Sequence, residues 1–246
     1  LIAADKKDLV IEIGPGKGAL TKTLIPLLNK ITLIEIDRDL ISFWRNFSSP
    51  ACEISIIASD VLNVNFANLV GESNQKMRIV GNLPYNISTP LIFKLLEYKH
   101  LISDMIFMMQ KEVVDRLTAQ PGCNSYGRLS IMAQYHFQTE KMFEVSSEAF
   151  SPPPKVNSAI IKLLPIENPL YIAKDFQVFK EIVTQAFIAR RKTINNALKK
   201  IIPTQFFDIL EINANARAEE LAIKDYVGLA NLYTAYNAKV LQFPEI

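Results

Sequence analysis

The four consecutive residues Asn82, Leu83, Pro84 and Tyr85 combine an amide, a rigid backbone turn and an aromatic ring. An exocyclic amine such as adenine N6 is a poor nucleophile, because its lone pair is delocalised into the ring. If the Asn82 side-chain oxygen and the Leu83 carbonyl accept both N6 hydrogens, the nitrogen can present its lone pair to an electrophilic methyl group. Tyr85 would stack on the base. The alternative interpretation is a strand that simply ends in a proline turn.

A glycine-rich turn, Glu12–Gly18 (EIGPGKG), follows the first predicted strand. Its glycines permit a tight turn and let a ligand approach backbone N–H groups. Glu35 follows Gly14 by 21 residues, at the position where an acid would bind ribose hydroxyls. Gly14, Gly16 and Ala19 also satisfy the dinucleotide-binding pattern, so two cofactor classes remain open, as does a turn that binds nothing. A P-loop is excluded, because the Gly-Lys pair is followed by glycine and not by Ser or Thr.

Asp60 comes directly after the third predicted strand, at the sheet edge that also carries the glycine turn. A carboxylate at this edge could accept a hydrogen bond from an exocyclic amine such as adenine N6. An N-cap for the segment 61–70 is an equally supported interpretation. The residue alone does not decide between the two.

The elements that must position these residues are a parallel sheet and its covering helices, because apolar and amphipathic segments alternate from Leu9 to Gln110. The predicted strands are 9–13, 31–36, 53–58, 77–82 and 104–110, and the predicted helices are 18–29, 38–47 and 90–99. The last of these helices has Ser88-Thr89 at its N-cap and Pro90 at its first helical position. Another helix begins at Lys111 and ends near Pro121.

The second half of the chain follows a different pattern. Strands over 137–145 and 156–164 predict an antiparallel hairpin at one edge of the sheet. Strand signals then cease, and the segments 175–202, 204–212 and 218–238 predict helices. We expect a boundary near Asn168, with an α/β domain over 1–168 and a small all-α domain over 169–246.

A positively charged segment lies in the first of these predicted C-terminal helices, with no acidic residue between Ile182 and Phe207. Its cations are Arg190, Arg191, Lys192, Lys199 and Lys200. Such a basic helix would neutralise nucleic-acid phosphates and position RNA without reading its sequence. Further candidates to extend this patch are Lys111, Arg116, Arg128 and Lys155. A solvated helix face is the alternative interpretation.

Composition excludes several classes of protein. The chain has 246 residues, 49% hydrophobic and 21% charged, which excludes disordered and collagen-like chains. No apolar run approaches the roughly 18 residues of a membrane span. Cys52 and Cys123 lack the pairing of a disulfide scaffold or zinc site, so we expect a reducing compartment and no metal. The formal net charge of +2 is too small to indicate nucleic-acid binding without the local patch.

Taken together, the glycine turn, Glu35 with Asp37, Asp60 and the segment 82–85 resemble the motifs of S-adenosylmethionine-dependent RNA adenine dimethyltransferases. Five further segments are similar to the bacterial small-subunit (16S) ribosomal RNA adenine dimethyltransferases, the KsgA or RsmA family. These segments are 110–113 (QKEV), 126–130 (YGRLS), 150–158 (FSPPPKVNS), 187–198 (FIARRKTINNAL) and 217–221 (RAEEL). The resemblance covers nearly the whole chain.

This resemblance implies a class I, Rossmann-like methyltransferase fold that binds S-adenosylmethionine. Gly14 would border the methionine part of the cofactor, with Gly16 in the same loop. Glu35 would bind the cofactor ribose, and Asp60 its adenine amine.

The resemblance also implies how the substrate base is held. Asn82 and the Leu83 carbonyl would hold the target N6, and Tyr85 and Phe150 would sandwich the flipped adenine. A plug on the hydrophobic core is the alternative for Phe150. The helical domain, together with Lys155, would bind RNA.

The implied activity is dimethylation of N6 on two adjacent adenosines in the loop of the 3′-terminal helix of 16S rRNA, linked to small-subunit assembly. The alternatives are a non-catalytic RNA-binding or assembly factor on the same fold, and a nicotinamide-dependent dehydrogenase. The dehydrogenase would leave the asparagine motif and the basic segment without a purpose. We expect a cytoplasmic monomer whose partner is 16S rRNA within the small subunit.

One motif of the resembled family is absent from this sequence. Family members carry a Gly-Gln-x-Phe-Leu-type segment before the first strand, which contacts the cofactor and covers the site. We therefore expect the chain to be a fragment that keeps the fold but has reduced cofactor affinity and activity.

Overall fold

Seven strands form one mixed sheet among residues 2–71, 75–150 and 153–238, which are the residues that this computed structural model describes. The strands are β1 (Leu9–Ile13), β2 (Lys30–Glu35), β3 (Glu53–Ala58), β4 (Met77–Asn82), β5 (Ile102–Gln110), β6 (Phe137–Val145) and β7 (Ser158–Pro165). Their order across the sheet is β3-β2-β1-β4-β5-β7-β6. Strands β1 to β5 pair in parallel, whereas β7 is antiparallel to both β5 and β6. The predicted parallel sheet with an antiparallel edge is therefore confirmed.

The apolar runs of the sequence form the centre of this sheet. Val10 and Ile11 in β1 and Ile79 in β4 are fully buried, as strands covered on both faces require. At the sheet margin, only Phe137 of β6 is buried, and its other side chains are half-buried or exposed. The strand order changes direction beside β1 and β4, so the ends of these two strands meet at the crevice where parallel sheets bind ligands.

Helices connect the strands of the sheet unit and form the C-terminal part of the described chain. The α-helices are α1 (Thr21–Leu24), α2 (Arg38–Asn46), α3 (Ala67–Val70), α4 (Ser88–Glu97), α5 (Lys111–Thr118), α6 (Arg128–His136), α7 (Phe176–Ile188), α8 (Ile194–Leu198), α9 (Gln205–Ile209) and α10 (Ile223–Asn237). In the part of the chain that the structure describes, none of them combines the length and apolar character needed to cross a bilayer.

The chain divides into two compact units. The sheet unit comprises Leu1–Asp115 and His136–Ile166, and the helical unit comprises Arg116–Tyr135 and Glu167–Ile246. The predicted boundary near Asn168 lies close to the second junction, but residues 116–135 fall in the helical unit instead of the first domain. They do so because Tyr135 packs its ring against Phe179 at 4.6 Å, and the Gly122 N–H donates to the Glu219 carbonyl at 2.8 Å. The expected helical domain also includes residues 239–246, which lie outside the described residues.

The helix predicted over 175–202 is wrong as one element. It is interrupted between α7 and α8, where the Ile194 N–H donates to the Ala216 carbonyl at 2.7 Å and Thr193 forms an isolated bridge with Arg217. These bonds to a distant segment replace the helical bonds to the preceding turn. The Thr193 side chain then caps α8.

Two other helix starts differ from their predictions. Helix α4 begins at Ser88, so Pro90 is its third residue, and the Ser88 hydroxyl donates to the Tyr85 carbonyl at 3.0 Å instead of capping the helix. Helix α1 is only one turn long and continues as a 3-10 turn over Ile25–Leu27, because Pro26 has no N–H to extend the α-helical ladder. Helix α6 was not predicted.

Candidate active site

The glycine turn leaves β1 in a conformation that non-glycine residues rarely adopt. Gly14, Gly16 and Gly18 have φ values of 66°, 56° and 87°. The Gly14 N–H donates to the Ile34 carbonyl at 3.0 Å, which ties the turn to β2. The turn therefore presents backbone groups at the carboxyl edge of the sheet.

Trp44 in α2 holds this turn from behind. Its indole Nε1 donates to the Gly16 carbonyl at 2.9 Å, and its side chain is 1% exposed. A Cβ at Gly18 would lie 2.7 Å from the Trp44 ring, so no larger residue fits there without a shift. Trp44 carries no sequence signal for a site role, because a contact across 28 residues leaves no local pattern.

A cavity of about 700 Å³ opens beside the glycine turn. The turn and the end of β4, with Gly81 and Asn82, form its polar side. Its apolar wall includes Ile106, Met108 and Ile160 of the neighbouring strands. A volume of this size accommodates a ligand as large as a nucleoside-based cofactor.

Glu12, in β1, contributes a buried carboxyl group to the wall of this cavity. The residue is 2% exposed, and its Oε2 has no hydrogen-bond partner among the described residues. Burial raises the pKa of Glu12 to about 7. Glu12 was part of the motif found in the sequence, but no role was predicted for it; an acid within the apolar strand LVIEI was the available signal.

Glu35 and Asp60 end β2 and β3 at the same edge of the sheet, but neither lines the cavity. Glu35 is 6% exposed, and its Oε1 accepts from the N–H groups of Ile36 at 2.8 Å and Asp37 at 3.0 Å. Asp60 Oδ1 accepts from the Leu62 N–H at 2.8 Å and caps a 3-10 turn, as the structural interpretation of this residue predicted. Both carboxylates are thus oriented by their own backbone.

A second, smaller cavity of about 280 Å³ brings the other predicted site residues together. Asn82, Leu83, Tyr85 and Phe150 all line it. The Leu83 N–H donates to the Met108 carbonyl at 2.9 Å, which fixes the turn after β4. Tyr85 is 40% exposed, so its ring is available for stacking. Ser151 and Pro152, in the segment resembling the family motif after Phe150, lie outside the described residues.

Asn82 lines both cavities and is therefore their shared residue. The larger cavity fits S-adenosylmethionine, since it joins a glycine turn to the buried carboxyl group of Glu12, whose Oε2 has no partner among the described residues and could face a cation. In the described part of the chain, no group of three or more His, Cys, Asp or Glu side chains is arranged to hold a metal ion.

The cations predicted to contact RNA lie in turns and not on one basic helix. Arg191 and Lys192 are exposed before α8, and Lys199 and Lys200 are exposed after it. Arg190 differs from them, because its Nε pairs with Glu219 Oε2 at 3.2 Å and it also donates to the Asn124 carbonyl. Lys155, in the sheet unit, is exposed.

Of the candidates to extend this patch, Lys111 already forms ion pairs with two acidic side chains. Its Nζ lies 2.7 Å from Asp115 Oδ2 and 3.3 Å from Glu144 Oε1. Its charge is therefore balanced within the sheet unit.

Comparison with known proteins identifies the family. Residues 2–235 match the family model described as "Ribosomal RNA adenine dimethylase". The chain is 48% identical over 225 residues to the "Ribosomal RNA small subunit methyltransferase A" of Alcanivorax borkumensis, covering 92% of this chain and 80% of that relative. The protein of the same name from Pseudomonas aeruginosa is 46% identical over 230 residues, covering 94% and 85%.

Solved structures agree with this assignment. A dimethyladenosine transferase from Plasmodium falciparum superposes with a TM-score of 0.77 at 26% identity, covering 98% of this chain and 94% of that one. The 23S rRNA methyltransferase ErmE, at 23% identity and a TM-score of 0.73 over 95% and 93%, shows the same fold. The chain therefore belongs to the ribosomal RNA adenine dimethylase family, enzymes that use S-adenosylmethionine to dimethylate adenine in ribosomal RNA.

Proposed function

We propose that this enzyme dimethylates N6 of two adjacent adenosines in the loop of the 3′-terminal helix of 16S rRNA, within the assembling small subunit. The names of its relatives support the small subunit as the substrate particle. The observation that carries the proposed chemistry is the position of Asn82, in the wall of both the cofactor-sized cavity and the smaller cavity. A base in the smaller cavity would meet the methyl donor at this residue.

The proposed reaction is carried by positioning. When bound, S-adenosylmethionine supplies an electrophilic methyl group on its sulfonium. The Asn82 side-chain oxygen and the Leu83 carbonyl accept the two N6 hydrogens and localise the nitrogen lone pair, while Tyr85 and Phe150 hold the ring between them. The N6 proton that the methyl group replaces passes to solvent, which reaches this cavity at the 40% exposed Tyr85.

In the larger cavity, Gly14 and Gly16 border the methionine part of the cofactor in this proposal. The nucleoside part of the cofactor extends beyond this cavity along the same sheet edge, where Glu35 binds the ribose with the carboxylate that its own backbone already orients. Asp60 accepts from the adenine amine there with the oxygen not used for capping. A carboxylate has acceptor capacity on both oxygens, so capping and ligand binding are compatible.

The sheet unit is then the cofactor-binding domain and the helical unit the principal RNA-binding domain. Four exposed cations around α8, together with Lys155, neutralise rRNA phosphates. Arg190 supports this surface from within, through its ion pair with Glu219. The active species is a monomer in the cytoplasm. Light scattering of the purified protein at micromolar concentration measures its molar mass and so tests whether it is a monomer.

Methyl transfer to small ribosomal subunits that lack the modification tests the proposal. With labelled S-adenosylmethionine, nucleoside mass spectrometry is expected to show N6,N6-dimethyladenosine at two adjacent positions. Asn82→Ala is expected to lower turnover at least roughly 100-fold, the range found for removing one positioning hydrogen-bond partner. Asn86→Ala is the matched control, because Asn86 is an exposed amide of the same loop that lines neither cavity.

Two results would contradict the proposal. Unchanged turnover in Asn82→Ala would refute the positioning role. Tight subunit binding with no dimethyladenosine, even at saturating cofactor, would favour the non-catalytic assembly factor.

A further inference from the structure

The helical unit contains a recess that the proposed chemistry does not use. Its volume is about 240 Å³, close to the 280 Å³ of the cavity proposed for the target adenine. Its wall comes from three parts of this unit: residues 120–134, Tyr171, and the start of α10 at 222–224. It shares no lining residue with either cavity of the sheet unit.

Tyr126 gives this recess a hydroxyl group that no described residue satisfies. The side chain is 0% exposed, and its hydroxyl oxygen has no hydrogen-bond partner among the described residues. A buried hydroxyl without a partner is destabilising and therefore uncommon. Tyr226, equally buried in the same unit, donates its hydroxyl to the Ala218 carbonyl at 2.7 Å. The Tyr126 hydroxyl is therefore a polar group on the wall of this recess whose hydrogen-bonding capacity is unused among the described residues.

Gln134 adds an acceptor of fixed orientation. Its Nε2 donates both hydrogens within the protein, to the Leu117 carbonyl at 2.9 Å and to the Ala119 carbonyl at 2.8 Å. The amide oxygen is thereby held in place as an acceptor, while the nitrogen has no further hydrogen to offer. The recess thus combines an acceptor with the donor of Tyr126.

The start of α10 contributes further donors and the positive charge of Lys224, beside the carboxylate of Asp225, which accepts from the Ala222 N–H at 2.8 Å. Its N-cap residue, Ala222, has no side chain that could satisfy the N–H groups of the first turn, and both Ile223 and Lys224 line the recess. Lys224 is exposed, so its ammonium group is available to a phosphate next to the recess. Tyr171, 46% exposed, adds an aromatic ring on which a planar group can stack.

We propose that this recess receives one unpaired nucleobase of the RNA substrate, stacked on Tyr171 and hydrogen-bonded at its edge by Tyr126 and Gln134. This inference rests on the proposed action on RNA. A base edge carries donors and acceptors together, as the recess does, whereas a phosphate offers acceptors alone and would be repelled by the Gln134 oxygen. The recess therefore contributes a contact that depends on a base, in addition to the phosphate contacts around α8.

Binding of fluorescein-labelled single-stranded RNA hexamers tests the recess directly. Two hexamers are compared, one complete and one abasic at its two central positions, with the full chain carrying Tyr85→Ala to weaken stacking in the other cavity. The complete hexamer is expected to bind roughly fivefold or more tightly than the abasic one, as base stacking on an aromatic ring gives. Adding Tyr171→Ala is expected to remove this difference, and Tyr171→Phe to keep it.

Two controls separate the recess from its surroundings. Leu170→Ala, at a neighbouring side chain that is 91% exposed and does not line the recess, is expected to change nothing. Tyr126→Phe is expected to weaken binding of the complete hexamer about threefold, with an unchanged or higher Tm, because the lost hydroxyl has no partner in the protein. A lower Tm with unchanged binding would show that this hydroxyl is structural.

The proposal is overturned if Tyr171→Ala leaves the ratio between the complete and abasic hexamers unchanged. It is also overturned if only Lys224→Ala weakens binding and does so equally for both hexamers, since the recess then recognises charge alone. Methyl transfer is measured separately on small subunits. If the Tyr85→Ala protein binds both hexamers equally while the protein with Tyr85 intact methylates subunits, the recess alone is refuted. Base-dependent binding without methyl transfer by the protein with Tyr85 intact would refute the proposed function only.

Discussion

At the scale of single residues, the ionisation of Glu12 connects stability to cofactor binding. Its pKa of about 7 means that the folded protein holds a proton that the unfolded chain, with an ordinary pKa near 4.5, releases more readily. The folded state is therefore favoured at low pH by this group, and that contribution is lost as pH rises from about 4.5 to 7. At about 1.4 kcal/mol per pKa unit, the loss is on the order of 3 kcal/mol.

The first prediction concerns the pH dependence of cofactor affinity. A positively charged ligand in the larger cavity favours the Glu12 carboxylate, so binding is coupled to release of its proton. We expect the Kd for S-adenosylmethionine to fall as pH rises from 6 to 8. Glu12→Gln is expected to bind more weakly and without this pH dependence, as measured by titration calorimetry. An identical pH profile in the variant would show that another group titrates.

The positioning role proposed for Asn82 suits a residue that does not titrate. An amide oxygen accepts hydrogen bonds at every pH, so its contribution depends on placement alone. Placement comes from the Leu83 N–H bond to the Met108 carbonyl, which anchors the end of β4 to β5. The position of the Asn82 side chain therefore depends on the pairing of β4 with β5 more than on the residues next to Asn82 in sequence.

At the scale of elements, the glycine turn depends on α2 as well as on β1. The positive φ angles of the three glycines allow the turn to form. The Trp44 indole N–H then fixes the position of the turn by donating a hydrogen bond to the Gly16 carbonyl. Helix α2 itself is well defined, because Asp37 caps it by accepting from the Asp39 and Leu40 N–H groups. A helix that contributes no residue to the cavity thus shapes one of its walls.

The second prediction tests this support. Trp44→Phe removes the hydrogen bond to Gly16 and leaves an apolar ring in place, so we expect cofactor affinity to fall about five- to tenfold, equivalent to a hydrogen bond worth roughly 1 kcal/mol. Phe43→Leu is the control for helix packing, because Phe43 packs edge-on against the Trp44 ring at 5.2 Å but no hydrogen bond joins its side chain to the turn. Equal losses in both variants, measured by calorimetry, would assign the effect to helix packing.

Helix interruption between α7 and α8 has a consequence for RNA binding at this scale. The break places Arg191 and Lys192 in a turn before α8, and Lys199 and Lys200 follow the same helix. Side chains in turns can adapt to a curved phosphate backbone, whereas those on one straight helix project around its axis. The interruption therefore favours phosphate binding without sequence readout.

At the scale of the whole molecule, the net charge of +2 hides an uneven distribution. Lys111, Lys141, Asp115 and Glu144 neutralise one another within the sheet unit. The exposed cations around α8 have no acid within their own stretch of sequence. RNA affinity should therefore depend on the few exposed cations around α8 and not on the net charge of the chain.

The third prediction is a contrast between two neighbouring cations. Lys192→Ala is expected to reduce the slope of log affinity against log salt concentration by about 1, as the loss of one phosphate contact does. Arg190→Ala is expected to change this slope less and to lower the Tm, because it leaves Glu219 without its ion pair. Filter binding across a salt series, with thermal denaturation, checks both. A larger slope change in Arg190→Ala would reverse the two roles.

Much of the fold follows from local sequence alone. The bounds of β1, β3, β4 and β6 agree with prediction, because runs of apolar and β-branched residues end at turn residues and both signals are local. Helix α6 was missed, since its residues carry only a weak apolar periodicity. The parallel order of β1 to β5 followed from alternation with helices, and it placed the ends of β1 and β4 together.

The sequence by itself therefore determined which residue types stand at the carboxyl edge of the sheet, and the family motifs that they form. Only the tertiary structure decided their surroundings. Four features join segments distant in sequence: the cavity around the buried Glu12, the Trp44 bond to Gly16, the Arg190 pair with Glu219 and the recess around Tyr126. The physical reason is that hydrogen bonding and burial depend on which side chains lie next to each other in the folded chain. Folding brings together residues that are far apart in sequence, and the local sequence around one of them does not indicate its partner.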